Sequence, residues 1–378
     1  MTTSKSPLRI LLMAHEIGTS GLHTYAHRFS PKKFTQPQLF ACLVLKEFLK
    51  LTYRGLSAVL NDARELCEAI GLTFVPHFTT FQKASRRLLT FRRAKRLLHK
   101  TVRHAVSTGV VKPTVSLAAL DATGLESHHA SEYYVRRKAK GGKSEQKLTY
   151  TRFPKFGLVC DSASHFILAL VPALGPGPDI LHFGEALDQA LANVGINALA
   201  ADAGYDSEAS HEYARYHRHV RSFIPALIGR PTEKPPSGYW RRQMKARLHL
   251  TRYSQRWQAE TVNSMIKRLL GSALTARTYW SQCREMLLMA ITLDIMILAA
   301  TCHQIKGFLQ SMSGTFVLNE DIRQITGRRH VLTSQAPLFG VSVLRVAPPF
   351  PPHHLASRAI QRLHAARAAR HHFSGLRL

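Results

Sequence analysis

The chain has 378 residues, 45% of them hydrophobic, enough to build a core and to exclude wholesale disorder. Lys and Arg number 52 against 23 Asp and Glu, and a compact fold carries the formal net charge of +29 as self-repulsion unless a polyanion offsets it, so nucleic acid is the first partner implied. No run of about 18 apolar residues offers a membrane span, because the nearest approach, Met286 to Ala300, is shorter and contains Asp294; a buried helix is expected there.

The N-terminal stretch MTTSKSPLRILLMAHEIG has no cleavage site after its apolar residues and is not read as an export signal. Cys42, Cys67, Cys160, Cys283 and Cys302 are odd in number, widely spaced and without a CxxC pair, which argues against a disulfide framework and a zinc site and fits a reducing cytoplasm. Histidine pairs such as His128-His129 and His371-His372 are adjacent, which is not metal-ligand spacing.

From Thr35 to about Arg103 apolar residues recur at three and four (Leu39, Leu43, Leu45, Phe48, Leu49, Leu56, Val59, Leu60), predicting an all-helical region within 1–110. Gly71 is placed to close a short helix in the left-handed conformation, and Thr79 or Thr80 to cap the next. A basic last helix runs from Lys83 to Arg103 without an acid, and 51–89 fits a helix-turn-helix with Arg86 and Arg87 on phosphates as well as a solvated basic face. After Pro113 come β-rich runs, VSLAALDATGL, RFPKFGLVCD and HFILALVP, then a helix over about 179–193, a strand INALAAD, a helix over about 207–219 and a strand RSFIP. Strands followed by alternating helix and strand predict an α/β mixed sheet with flanking helices over 111–305. A turn-rich stretch lies between Pro225 and Arg252, and helices are expected over about 253–270 and 281–300. The segment 306–378, rich in Pro, Arg and His, is expected to be a basic extension.

Acids are scarce, so their placement is informative. Asp121 and Asp202 each end an apolar strand run, where turn formation alone explains an Asp but where neighbouring tips also converge on a shared cation. Asp161, in a turn, is the rival to Asp202, and Asp206 reads as a helix cap near Glu208. On a helical wheel at about 100° per residue, Tyr253, Arg256, Glu260 and Lys267 fall on one stripe about 60° wide. Trp257 lies just off it and is expected to pack inward rather than stack on a base; Asn263 and Ser264 flank it as phosphate contacts. A loop YYVRRKAKGGKSEQK offers Arg136, Arg137, Lys138, Lys140 and Lys143 to DNA.

The segment YSQRWQAETVNSMIK, with its Tyr, Arg, Glu and Lys spacing, resembles the signature of DDE transposases of bacterial and archaeal insertion sequences. LDATG around Asp121 and ADAGYDS around Asp202 resemble the first and second Asp motifs of that family, and TYRGLSAVL, AIGL and VPHFTTF resemble its N-terminal region. The resemblance implies an RNase H-like catalytic domain in which Asp121, Asp202 and Glu260 bind two Mg²⁺ ions, or Mn²⁺ in their place, behind an all-α DNA-binding region. It implies cleavage and strand transfer at terminal inverted repeats, with Tyr253, Arg256 and Lys267 holding the DNA end, and a homodimer on DNA in a prokaryotic nucleoid. A catalytically silent DNA-binding protein and a nuclease without strand joining are the alternatives.

Overall fold

The computed structural model describes residues 2–127, 132–138, 145–226 and 235–301, with 132–138 and 145–150 described as backbone. The chain divides into a unit Met1–Val317 and a second, Leu318–Leu378, which lies outside the described residues with the expected basic extension.

Six helices come first: α1 Pro7–Gly21, α2 Gln36–Phe48, α3 Tyr53–Asp62, α4 Arg64–Ala69, α5 Phe78–Leu88 and α6 Phe91–Ser107. Four of the six start at a side-chain cap, α1, α2, α3 and α5, with Thr35 and Gln38 forming a capping box on α2 and Thr52 accepting from the Gly55 N–H on α3. Gly71 closes α4 at φ +68, the conformation a side chain resists. The N-terminal stretch holds α1, capped by Ser6 and starting at Pro7. Two expectations are corrected here: the cap of α5 is His77, whose ring accepts from the Thr79 N–H, and the single basic helix is two, broken before Phe91.

Seven strands open the second part: β1 Thr114–Val115, β2 Ala118–Gly124, β3 Glu126–Ser127, β4 Glu132–Lys138, β5 Glu145–Thr151, β6 Phe153–Asp161 and β7 Ile167–Gly175. There follow α7 Phe183–Leu191, β8 Gly195–Ile196, β9 Ala198–Ala201, α8 Glu208–Glu212, β10 Arg221–Phe223, α9 Tyr239–Arg247, α10 Trp257–Leu270 and β11 Ala273–Leu274. A last helix, α11, covers 279–301. The main sheet has the order β10-β9-β2-β6-β7, in which β2, β9 and β10 are parallel and β6 and β7 antiparallel.

The expected basic loop after Gly124 is instead an antiparallel hairpin, β4 with β5, pairing Arg136 with Lys147 and Lys138 with Glu145. Alternating Tyr, Val, Leu and Thr in EYYVRRK and EQKLTYT is the strand signal the charges masked. Lys140 and Lys143 lie outside the described residues. The turn-rich stretch likewise hides α9, whose first turn is held by Glu208 accepting the N–H groups of Trp240 and Arg241 at 2.9 and 3.1 Å.

One hydrophobic core joins helices and sheet, from Ile10 and Phe40 through Leu120 and Leu170 to Ile297. Residues 286–299 of α11 are buried on all sides, as its continuous apolar run requires. It touches both halves: the Ser4 N–H donates to the Met296 carbonyl at 2.8 Å, and the Asp294 carboxyl accepts from the Ile167 N–H at 2.9 Å. No helix among the described residues is long and apolar enough to cross a membrane.

Candidate active site

Strand register brings the two aspartates together. In the parallel pair Leu120 faces Ala201, so one step further along β2 and β9 places Asp121 beside Asp202. Neighbouring strands lie about 4.8 Å apart, so these side chains share one edge of the sheet. Asp161 is excluded from it: it pairs with Ala118 at the other end of β2, and its carboxylate accepts from the N–H groups of Ala163 and Ser164 and from the Ser164 hydroxyl at 2.6 Å. Asp202 also turns the chain, accepting from the Gly204 N–H at 3.0 Å.

Helix α10 supplies the facing wall. Asn263, 6% exposed, donates to Asp121 Oδ2 at 2.9 Å, so it supports a carboxylate where a phosphate contact was expected. Arg256 lies between acids: one guanidinium nitrogen bonds Glu260, and the other stands 3.8 Å from Asp121. Tyr253 is half-buried beside Arg256, and Lys267 lies further along α10. Tyr253 and Arg256 belong to a 3-10 turn, Arg252–Arg256, ahead of α10, so the stripe is not that of one α-helix. Arg256 and Glu260 meet because they stand four apart across the junction. Trp257 is 55% exposed, against the expectation that it packs inward. Ser264 is exposed.

Burial dominates the electrostatics. It pushes the Asp121 carboxyl up to about 6, with the neighbouring Asp202 charge adding to the rise and Arg256 and Asn263 opposing it. Asp202 is raised for the same first reason, with Asp179 adding to it and Arg256 and Lys155 opposing. Asp179 and Lys155 were not foreseen from the sequence. They form an ion pair, Lys155 also donates to the Gly177 carbonyl at 2.9 Å, and a Cβ at Gly204 would stand 3.1 Å from Asp202 Oδ1 and 3.7 Å from Asp179 Oδ2. Tyr205, 0% exposed, adds a hydroxyl without a hydrogen-bond partner among the described residues, and burial first, then the charges of Asp179, Asp121 and Asp202, raise its pKa. Asp206 does not cap α8; Ser207 does, accepting from the Ser210 N–H at 2.9 Å, while Asp206 pairs with Arg241 at 2.8 Å.

Among the described residues no three His, Cys, Asp or Glu side chains stand close enough to share a metal ion. Asp121 and Asp202 are nonetheless the donor pair a hard cation prefers: oxygen ligands, half-buried, with pKa values raised first by burial and further by neighbouring negative charge, which a bound cation offsets. Glu260 is turned to Arg256. Arg86 and Arg87 are exposed on the last turn of α5, and Arg136, Arg137 and Lys138 are strand residues of the hairpin.

A mixed sheet that sets Asp121, inside β2, beside Asp202 just past the parallel β2–β9 pairing, faced by Arg256 and by Glu260 and Lys267 of α10, defines an α/β domain with an acidic centre. Residues 113–295 match the family model of the transposase DDE domain, which supports a DDE transposase, and the mixed sheet is consistent with an RNase H-like domain of that kind. Asp121, Asp202 and Glu260 all fall within the match.

Proposed function

We propose that the protein cuts DNA at the inverted-repeat ends of an insertion sequence and joins them to a target, with Asp121, Asp202 and Glu260 holding two Mg²⁺ ions, or Mn²⁺ in their place. The observation that carries this reading is the placement of Asp121 beside Asp202 where the parallel pairing of β2 with β9 ends, with Glu260 linked to Asp121 through Arg256. Asp121, Asp202 and Glu260 would hold the ions, which would supply the positive charge needed to activate an attacking oxygen and stabilise a leaving one.

The chain's own residues prepare for this. Asn263 fixes the orientation of Asp121. Arg256 neutralises Glu260 and Asp121, and an incoming phosphate offers its guanidinium a bidentate partner, releasing both carboxylates. Tyr253 and Lys267 lie along the same wall to hold the DNA end. The helices of 1–110 with Arg86 and Arg87, and the hairpin residues Arg136, Arg137 and Lys138, are the DNA-binding residues in this reading, and phosphate contacts of this kind give salt-sensitive affinity. Two ends cut in concert favour a homodimer on DNA in the cytoplasmic nucleoid.

The test uses labelled duplex carrying the DNA that flanks the gene, Mg²⁺, and a separate target duplex. Wild type is expected to nick the end and join it to the target, whereas Glu260→Gln binds DNA without cutting. Because Glu260 is 56% exposed and its recorded ion pair is with Arg256, stability should change by less than about 1 kcal/mol. Cutting that survives in Glu260→Gln refutes the site; cutting without joining supports the nuclease instead.

A further inference from the structure

A cleft of about 920 Å³ opens between α2, α3 and α5 on one side and 275–288 on the other, away from the carboxylates. Its lining includes the cations Lys46, Arg86, Arg277 and Arg284 and the acids Glu47 and Glu285. Both acids are engaged within the protein. Glu47 is buried and pairs with Lys46 at 3.4 Å, while Glu285 accepts from the Thr275 N–H and hydroxyl and from the Ala276 N–H at 2.8 to 2.9 Å. The wall at 275–276 is therefore fixed, and with four cations against two carboxylates the lining stays net positive. Arg86 and Arg277 are exposed, with no carboxylate within 4.0 Å among the described residues.

Trp280 stands on the same rim, 67% exposed, beside Tyr279 with ring centroids 5.2 Å apart. A Trp left in water beside arginines from two walls suits a ligand with both a flat ring and negative charge, which is a nucleotide. The chain's own basic end does not fit, since 345–378 carries six Arg and five His and no acid. The cleft also continues the catalytic wall. From Glu260 to Lys267, α10 rises about 10 Å and then leads through β11 into 275–278, and Lys50 of the helical part reaches the Arg268 carbonyl at 3.3 Å.

We propose that this cleft seats unpaired nucleotides of the DNA strand next to the cut, with Trp280 stacking on a base and Arg86, Arg277 and Arg284 taking phosphates. The inference rests on the DNA-cutting reading and adds a substrate feature to it, a preference for an end that is frayed or tailed.

Anisotropy with the full chain, without divalent metal, compares a blunt duplex with the same duplex bearing a short single-stranded tail. Wild type is expected to bind the tailed DNA at least about fivefold more tightly, the range a single stacked base spans. Trp280→Ala and the double variant Arg277→Ala/Arg284→Ala should lose that preference while blunt-duplex affinity stays within about threefold for Trp280→Ala. Thermal melting of Trp280→Ala is expected to match wild type because the ring is exposed. Equal wild-type affinity for both DNAs, or an equal loss on both in Trp280→Ala, overturns the cleft assignment and leaves the catalytic reading standing. No binding to either DNA at low salt overturns both.

Discussion

Asp121→Asn should stabilise the metal-free protein while abolishing its chemistry. Burial raises the Asp121 carboxyl from its ordinary 3.8 to about 6, net of the opposing contacts with Arg256 and Asn263. The sign follows directly. The native state holds a proton on Asp121 that the unfolded chain gives up, so wild-type stability is undiminished by this group below about pH 3.8 and falls as pH rises to about 6. Converted at about 1.4 kcal/mol per tenfold change in proton affinity, the ionised carboxylate destabilises the fold by at most about 3 kcal/mol at pH 7.5, and residual solvent screening lowers that ceiling. Asn removes the charge and keeps an oxygen to accept from Asn263. Urea unfolding in EDTA is the assay, at pH 7.5 and at pH 4. The variant should gain stability at the higher pH and lose that advantage at the lower one, and added Mg²⁺ should stabilise wild type alone. A variant no more stable than wild type at pH 7.5, or a gain unchanged at pH 4, refutes the claim that Asp121 is a costly charge held in place for a cation.

Two further substitutions probe the surroundings. Tyr205→Phe removes a buried hydroxyl that has no hydrogen-bond partner among the described residues, so its unfolding free energy in urea should stay level or rise by up to about 1 kcal/mol; a loss of that size would mean the hydroxyl is satisfied after all. Arg241→Met takes a cation from Asp206, whose side chain is 0% exposed, and should destabilise by about 3 kcal/mol, against less than about 1 if the pair is screened by water.

Much of the molecule was legible along the chain because periodicity reports which side of an element faces the core. The helical part, the apolar strands around Leu120, Val159 and Ala169, and the buried run from Met286 to Ala299 all carry that signal. The hairpin β4–β5 and helix α9 did not, since the Arg and Lys residues in their sequences masked the local pattern. The wheel drawn from Tyr253 assumed 3.6 residues per turn across a junction where the backbone winds more tightly.

Composition determined the basic character and the scarcity of acids, and the resemblance of the motifs around Asp121, Asp202 and Glu260 to those of DDE transposases singled these three out as the residues worth following. Tertiary structure decided who stands next to whom: Asp202 rather than Asp161 beside Asp121, Asn263 supporting a carboxylate, Asp179 and Lys155 at the site's edge, and Trp257 in water. The reason is that facing is set by neighbours within a turn or a pleat, whereas strand register is set by partners scores of residues away. A shift of one residue between β2 and β9 would leave every local pattern intact and separate the two aspartates.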